Sequence, residues 1–184
     1  MELHPTPSMT VIIRKAAPSD AEGIARAHVE SWQTTYKGIV SADFLAAMSA
    51  GSRVTKWQDT LASLGDRRFV FVAEEAGRII GFVNGMDERE NDPRYSGEVG
   101  GLYLLEEAQR QGTGRKLMRT AARELAKRGH TSMLLWVLKD NLPARKFYEA
   151  LGGKILREKP ISIGDQTLPE ISYGWDNLIN LIKE

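Results

Sequence analysis

The segment Gln109-Arg110-Gln111-Gly112-Thr113-Gly114 carries the clearest chemistry in the chain. It stands between a strand-like run and a strongly periodic helix-like run. A helix N-terminus leaves backbone N–H groups unpaired and bears a partial positive charge. Glycines at 112 and 114 remove the side chains that would hold an anion away from those amides. Arg110 and Arg115 add full charges on either side. A pyrophosphate or polyphosphate suits this turn. The pattern of a P-loop is absent, and a dinucleotide fingerprint would need a third glycine where the chain has Leu117. Two glycines one residue apart are also compatible with a tight strand-to-helix turn that holds no ligand.

Those residues need elements to position them. Val11–Arg14 is a β-branched run ended by Pro18, hence a first strand. Ser19 and Glu22 have capping-box spacing before a helix with Ile24, Ala27, His28 and Ser31 on one face. Ser41 caps a second helix through Phe44, Leu45 and Met48, and Val54, Trp57, Leu61 and Leu64 repeat at helical spacing. The period then changes. Phe69–Ala73 and Arg78–Val83 form a hairpin about Glu74-Glu75-Ala76-Gly77, the polar stretch Asp87–Gly97 is a loop, and Glu98–Leu105 is a strand. A helix from Gly112 to Arg128 stops at Gly129. Met133–Leu138 is nearly all apolar, so it is a strand buried on both faces. Asn141 caps a helix that tolerates Pro143 in its first turn and ends at Gly152. Lys154–Ile163 and Gln166–Tyr173 close the chain as a second hairpin. The order predicts one α/β domain over residues 11–184, with seven strands in a mixed sheet, helices on both faces, and a loose tail at 1–10.

Composition narrows the function. The 184 residues include 42% apolar and 27% charged side chains, an ordinary globular balance. Net charge is +1, which gives no global pull toward nucleic acid or anionic membrane. Cysteine is absent, so disulfides, thiolate metal sites and a cysteine nucleophile are excluded. His4, His28 and His130 are too scattered for a metal site. No apolar run approaches the roughly 20 residues that span a bilayer, and no secretory signal opens the chain. A cytoplasmic setting is expected. The basic face of the helix after the turn, from Arg115 to Arg128, reads as solvated and as drawing in phosphates rather than as a nucleic-acid surface.

Taken together, Leu102-Tyr103-Leu104, the turn at Gln109, Gly112 and Gly114, and the later run Asn141, Ala144, Phe147-Tyr148 and Gly152 resemble the two signature regions of the GNAT N-acetyltransferase superfamily. The element order resembles that fold from Val11 to about Trp175. Glu106 stands where many members carry proline, which alters the approach to the turn and leaves its residues untouched. The resemblance implies a mostly antiparallel sheet with a splayed central strand pair, and acetyl-CoA as co-substrate. It implies that Leu102, Tyr103 and Leu104 pair with the pantetheine arm and that Leu104 N–H polarises the thioester. Amides of Gln111, Gly112, Thr113, Gly114 and Arg115 would hold the pyrophosphate. Gln109 and Arg110 would form its near edge, and Asn141 and Ala144 would line the other side.

The same resemblance assigns Tyr148 as general acid and Glu98 as base, because an amine of pKa roughly 10.4 arrives protonated. Each keeps a plainer reading: Tyr148 as a core aromatic, and Glu98 as a strand glutamate or an acceptor-positioning charge. Trp32 and Tyr36 stand where members place acceptor-contacting aromatics, and Tyr173 and Trp175 end the last strand; core packing is the stronger reading for all four. The expected partner is a small-molecule or peptide amine. The acidic loop from Asp87 to Asp92 could attract its cation or simply be solvated. A homodimer through the final hairpin or a sheet edge is compatible with the pattern. The competing readings are a GNAT-like acyl-CoA-binding module without catalysis and a transferase for a longer acyl group.

Overall fold

The computed structural model describes residues 10–183, so the tail expected at 1–10 lies, Thr10 apart, outside the described residues. Seven strands form one sheet: β1 (Ile12–Lys15), β2 (Arg68–Glu75), β3 (Arg78–Asp87), β4 (Gly97–Leu104), β5 (Met133–Leu138), β6 (Lys154–Ile163) and β7 (Gln166–Trp175). Their spatial order is β1-β2-β3-β4-β5-β7-β6, and every neighbouring pair is antiparallel except β4 and β5. Helices cover both faces: α1 (Ala21–Thr35), α2 (Ala42–Ala47), α3 (Ala50–Ala62), α4 (Thr113–Lys127), α5 (Leu142–Ala150) and α6 (Leu178–Lys183).

The core follows the periodicities. Helix α4 buries Leu117, Met118, Ala121, Ala122 and Leu125, all at 0% exposure, and turns its basic residues away. Complete burial of a leucine contributes about 1.5–3 kcal/mol, so Leu117 and Leu125 alone anchor this helix to the sheet. In β5 every residue but Trp136 is buried. Trp136 is the exception because it meets a cleft. A smaller second core joins Tyr36, Val40, Leu45, Leu138 and Ile163, so the end of α1, helix α2 and the β6–β7 hairpin fold together beyond β5. Ser41 caps α2 as expected, and its own N–H donates to Gln166 Oε1 at 2.5 Å, which fastens α2 to the hairpin.

Two expectations change. The capping box at Ser19 and Glu22 does not form, because Pro18–Asp20 makes a 3-10 turn and Asp20 takes the N-cap position of α1. Asp20 instead accepts from Ala17 N–H at 2.7 Å and from the Arg14 guanidinium at 2.7 and 2.9 Å. A carboxylate offered a guanidinium takes the charge-assisted bonds. The second change is α6, which lies beyond the final hairpin where no helix was expected. Leu178 and Leu181 are each 1% exposed, and α6 packs against α4. Its six residues are too few for helical periodicity to show. No described helix is long and apolar enough to cross a membrane.

Candidate active site

The parallel pairing of β4 and β5 covers only Gly97–Val99 against Met133–Leu135. Beyond it, β4 continues along β3 to Leu104 while β5 continues along β7 to Leu138. The strands therefore diverge, and a cleft of about 590 Å³ opens between them. Its walls are residues 99–104, residues 135–137, the glycine turn, the first turns of α5 and the end of α1. Leu105 N–H donates to Ile80 O at 2.9 Å. Backbone groups of a strand alternate in direction, so Leu102 and Leu104 present theirs to the opened edge. An unpaired strand edge inside a cleft is a ready partner for amides of a bound chain.

The turn closes one end of this cleft. Gln109 Nε2 donates to Leu104 O at 3.2 Å and ties the turn to the end of β4. Arg110 has φ 59° and Gly112 φ 81°, so the chain passes twice through left-handed backbone just before α4. Such a conformation costs of order 1–3 kcal/mol in a non-glycine residue and concentrates at functional sites. Gly114 sits in tight packing: a Cβ there would lie 3.2 Å from Phe147 Cζ and 3.4 Å from Leu104 Cδ1, so those side chains would have to give way. Gln109, Arg110, Gly112, Gly114 and Arg115 line the cleft, whereas Gln111 and Thr113 do not. Gln111 Nε2 donates to Glu107 O, and Thr113 is buried. Asn141 and Ala144 line the facing wall, and Asn141 Oδ1 accepts from Ala144 N–H at 3.3 Å as the cap of α5.

Tyr148 projects from α5 into the cleft and is 6% exposed. Its ring packs on Phe147, Tyr173 and Trp175. The other two hold α5 in place: Tyr173 Oη donates to Glu149 at 2.6 Å, and Trp175 Nε1 donates to Leu151 O at 2.7 Å. These two aromatics are buttresses of α5. The Tyr148 hydroxyl has no hydrogen-bond partner among the described residues. Burial, and secondarily Tyr103, push its pKa well above the ordinary tyrosine value. The phenol is therefore a protonated donor at neutral pH. Tyr36 is raised likewise by burial and by Tyr103, with a smaller effect from Tyr148, so three tyrosine hydroxyls converge on one region.

Sequence reasoning missed the shell behind this cluster. His28 stacks on Tyr103 at 5.3 Å and accepts from Trp57 Nε1 at 3.2 Å through Nδ1. Burial, then Arg53 and Lys56, lower its pKa to about 3, so it is a neutral spacer. The helical face that carries His28 was legible, but its contact with β4 was not. Trp32 packs on Tyr36 at 4.7 Å and lies 6.3 Å from the Tyr103 ring. Trp32 stays behind the cleft wall while Tyr36 forms part of that wall, so the two expected acceptor aromatics separate.

Glu98 is 2% exposed and lies outside the cleft wall. Arg89 holds both its oxygens, through Nη2 to Oε1 at 2.5 Å and Nε to Oε2 at 3.2 Å, and Arg89 N–H adds a bond at 3.3 Å. Its base role meets a geometric obstacle, since three hydrogen bonds from Arg89 already engage both oxygens. The acidic loop is not free either. Lys159 pairs with Glu90 and Arg157 with Asp92, so the loop's charge is spent on β6.

A divided mixed sheet with a glycine turn and a phenol in the division defines a class of acyl-transfer fold, and comparison with known proteins identifies it. The profile of the Acetyltransferase (GNAT) family matches residues 27–153. An uncharacterized N-acetyltransferase of Bacillus subtilis, YuaI, is 36% identical over 169 residues, 91% of this chain and 94% of that protein. An uncharacterized N-acetyltransferase of Archaeoglobus fulgidus is 32% identical over 142 residues, 74% of this chain and 88% of that protein. In structure, PaiA N-acetyltransferase from Thermoplasma acidophilum, in complex with coenzyme A, superposes with TM-score 0.68 at 23% identity, over 88% of this chain and 98% of that one. YncA from Salmonella typhimurium, with its cofactor acetyl-CoA, gives 0.67 at 21% identity, over 92% and 94%. The chain belongs to the GNAT acetyltransferase family and is an acetyltransferase.

Proposed function

We propose that this enzyme moves the acetyl group of acetyl-CoA directly to a primary amine. The observation that carries this reading is the Tyr148 hydroxyl, unpaired and protonated, in the same cleft as the glycine turn and the opened edge of β4. Left-handed backbone at Arg110 and Gly112 frees the amides that begin α4 for a pyrophosphate, and Arg110 and Arg115 add charge. Leu104, tied to the turn by Gln109, belongs to the phosphate end. The reacting end lies further along β4. A Cβ at Gly101 would stand 2.8 Å from Tyr103 Cε2, so the Tyr103 ring folds back along the strand, away from the turn. Tyr148 and Tyr36 both sense that ring. Leu102 N–H, rather than Leu104 N–H, is then the donor that polarises the thioester carbonyl.

In this reading the amine attacks as a neutral nucleophile, and Tyr148 protonates the departing thiolate. The new amide nitrogen sheds a proton that restores the phenol, so no phenolate persists in a buried site. PaiA and YncA, seen with coenzyme A and acetyl-CoA, support the donor assignment. The deciding experiment follows thiol release from acetyl-CoA across a panel of polyamines, amino acids, amino sugars and lysine-containing peptides, with acetyl-CoA-induced thermal shift in parallel. Binding and amine-dependent thiol release are expected. Binding without release on any amine, or release only from longer acyl-CoA donors, would overturn the reading.

A further inference from the structure

Four carboxylates are buried among the described residues: Asp20, Glu98, Glu124 and Glu170. Three of them accept hydrogen bonds from an arginine, namely Arg14, Arg89 and Arg128. Glu170 accepts none. Its nearest cation is Lys159 Nζ at 3.8 Å, and that ammonium is closer to Glu90. Its side chain keeps 10% of its accessibility, and neither oxygen is among the sealed, unpartnered atoms of the interior. Both oxygens therefore keep some contact with solvent.

The register says which space. Glu170 on β7 pairs with Leu138 on β5, and Ser172 with Trp136. Residues paired across antiparallel strands share a face. Leu138 packs with Tyr36 in the second core, while Trp136 and Tyr36 both line the cleft. Glu170 thus lies just behind the wall that Trp136 and Tyr36 form, on the α1/α2 face, opposite the helix that supplies Tyr148. We propose that Glu170, rather than Glu98, is the base that deprotonates the acceptor, which enters from this face as a primary alkylammonium ion. This rests on the transferase reading above.

The chemistry balances with the groups present. Glu170 carboxylate takes one proton from R–NH3+, and the freed lone pair forms the N–C bond at the thioester carbonyl. The C–S bond breaks with its electron pair on sulfur, sulfur takes the Tyr148 proton, and the product nitrogen returns a proton to Tyr148. Glu170 releases its proton to solvent through the open face. Burial raises the Glu170 pKa above that of an ordinary glutamate, Glu90 and Glu98 add to the rise, and Lys159 and Arg89 oppose it. Tyr36 faces it from α1 as a neutral phenol. A carboxylate raised this way is a stronger base than a solvated one.

The test is the pH dependence of kcat/KM with acetyl-CoA and the fastest amine from the panel. Wild-type enzyme should lose activity as pH falls through the Glu170 pKa, because the base must be ionised. E170Q keeps the shape of the side chain, should abolish that limb, and should lower the neutral-pH rate by about 10²-fold or more. Its acetyl-CoA thermal shift should survive. E98Q should retain the limb. K159M, outside the cleft wall, removes a charge that depresses the Glu170 pKa and should move the limb to higher pH. That readout stands even if E170Q folds poorly. An unchanged limb in either E170Q or K159M, or a limb lost in E98Q, would overturn the assignment. No amine-dependent thiol release by the wild type would instead sink the transferase reading itself.

Discussion

The two ends of the cleft are built from different materials. The turn end is backbone: two left-handed residues, an amide-bearing helix start and a strand edge, all within residues 102–115. The other end is side chain: Tyr36, just past α1, and Trp136 from β5 line it, and in the proposed reading Glu170 from β7 stands behind them. A backbone site recognises what every donor shares and tolerates little change in its glycines. A side-chain site can be rebuilt one residue at a time, so in the proposed reading specificity for the acceptor would reside there. Tyr148 lines the cleft between them, and the proposed mechanism has it serve both ends.

The largest expected effect falls on that boundary. Tyr148→Phe keeps the ring packed on Tyr173 and Trp175 and removes the only transferable proton. Turnover should fall about 10²–10⁴-fold, with kcat and kcat/KM falling together. Acetyl-CoA affinity and thermal midpoint should stay near wild type. Near-normal turnover, with chemistry shown to limit the rate, would remove Tyr148 from the mechanism.

Next comes the turn. Gly112 has φ 81° with open space around it, so a side chain there meets no neighbour and suffers only from its backbone. Gly112→Val should cost about 1–3 kcal/mol of the bound conformation, a loss of roughly 5- to 150-fold in acetyl-CoA affinity by calorimetry. The pH profile for the amine should keep its wild-type shape. If acceptor KM changed as much as donor affinity, the two ends would be one coupled site.

A smaller effect links fold to chemistry through the cap of α5. Asn141→Ala removes the bond to Ala144 N–H and should lower stability by about 0.5–2 kcal/mol in urea unfolding. Because α5 carries Tyr148, kcat should fall more than acetyl-CoA affinity. Loss of affinity with unchanged kcat would mean that Asn141 acts on the cofactor and not through the helix.

The division also explains what the sequence made legible. The turn, Tyr148 and Asn141 lie in short segments that resemble the family's two signature regions, and all three line the same cleft. The order of elements along the chain followed from β-branched runs and hairpin turns such as Ala76-Gly77, both at positive φ. Glu170 gave no signal, because a single glutamate in an alternating strand looks solvated until strand pairing sets it opposite Leu138, which packs with Tyr36. Glu98 gave a signal that left out its partner. Its position on β4 was correct, but Arg89, nine residues earlier, is brought onto it only by the irregular loop between β3 and β4. Electrostatic partners across loops depend on tertiary closure, which local patterning does not encode.

The smallest effect compares the two ends in one experiment. Residues 88–96 contain Glu88, Glu90 and Asp92, whereas residues 109–115 contain no carboxylate. Hydrogen bonding to Lys159, then its charge and that of Arg157, lower the Glu90 pKa. Burial works to raise Asp92, but the N–H groups of Arg94 and Tyr95 and the Arg157 guanidinium outweigh it and leave it lowered. A carboxylate with a depressed folded pKa contributes stability that is present above its unfolded value, near 4. That stability disappears as pH falls through the lower, folded value. Partly exposed ion pairs are worth about 0–1 kcal/mol each, so amide protection of the loop should fall only a few-fold. Hydrogen exchange, corrected for the intrinsic pH dependence of the amides, should show residues 88–96 loosening between pH ~5 and pH ~3. Residues 109–115 should hold their protection over the same range. If both segments loosened together, acid would be opening the fold as a whole. If neither did, the ties from the loop to β6 would carry no stability, and the acceptor end would owe its shape to packing alone.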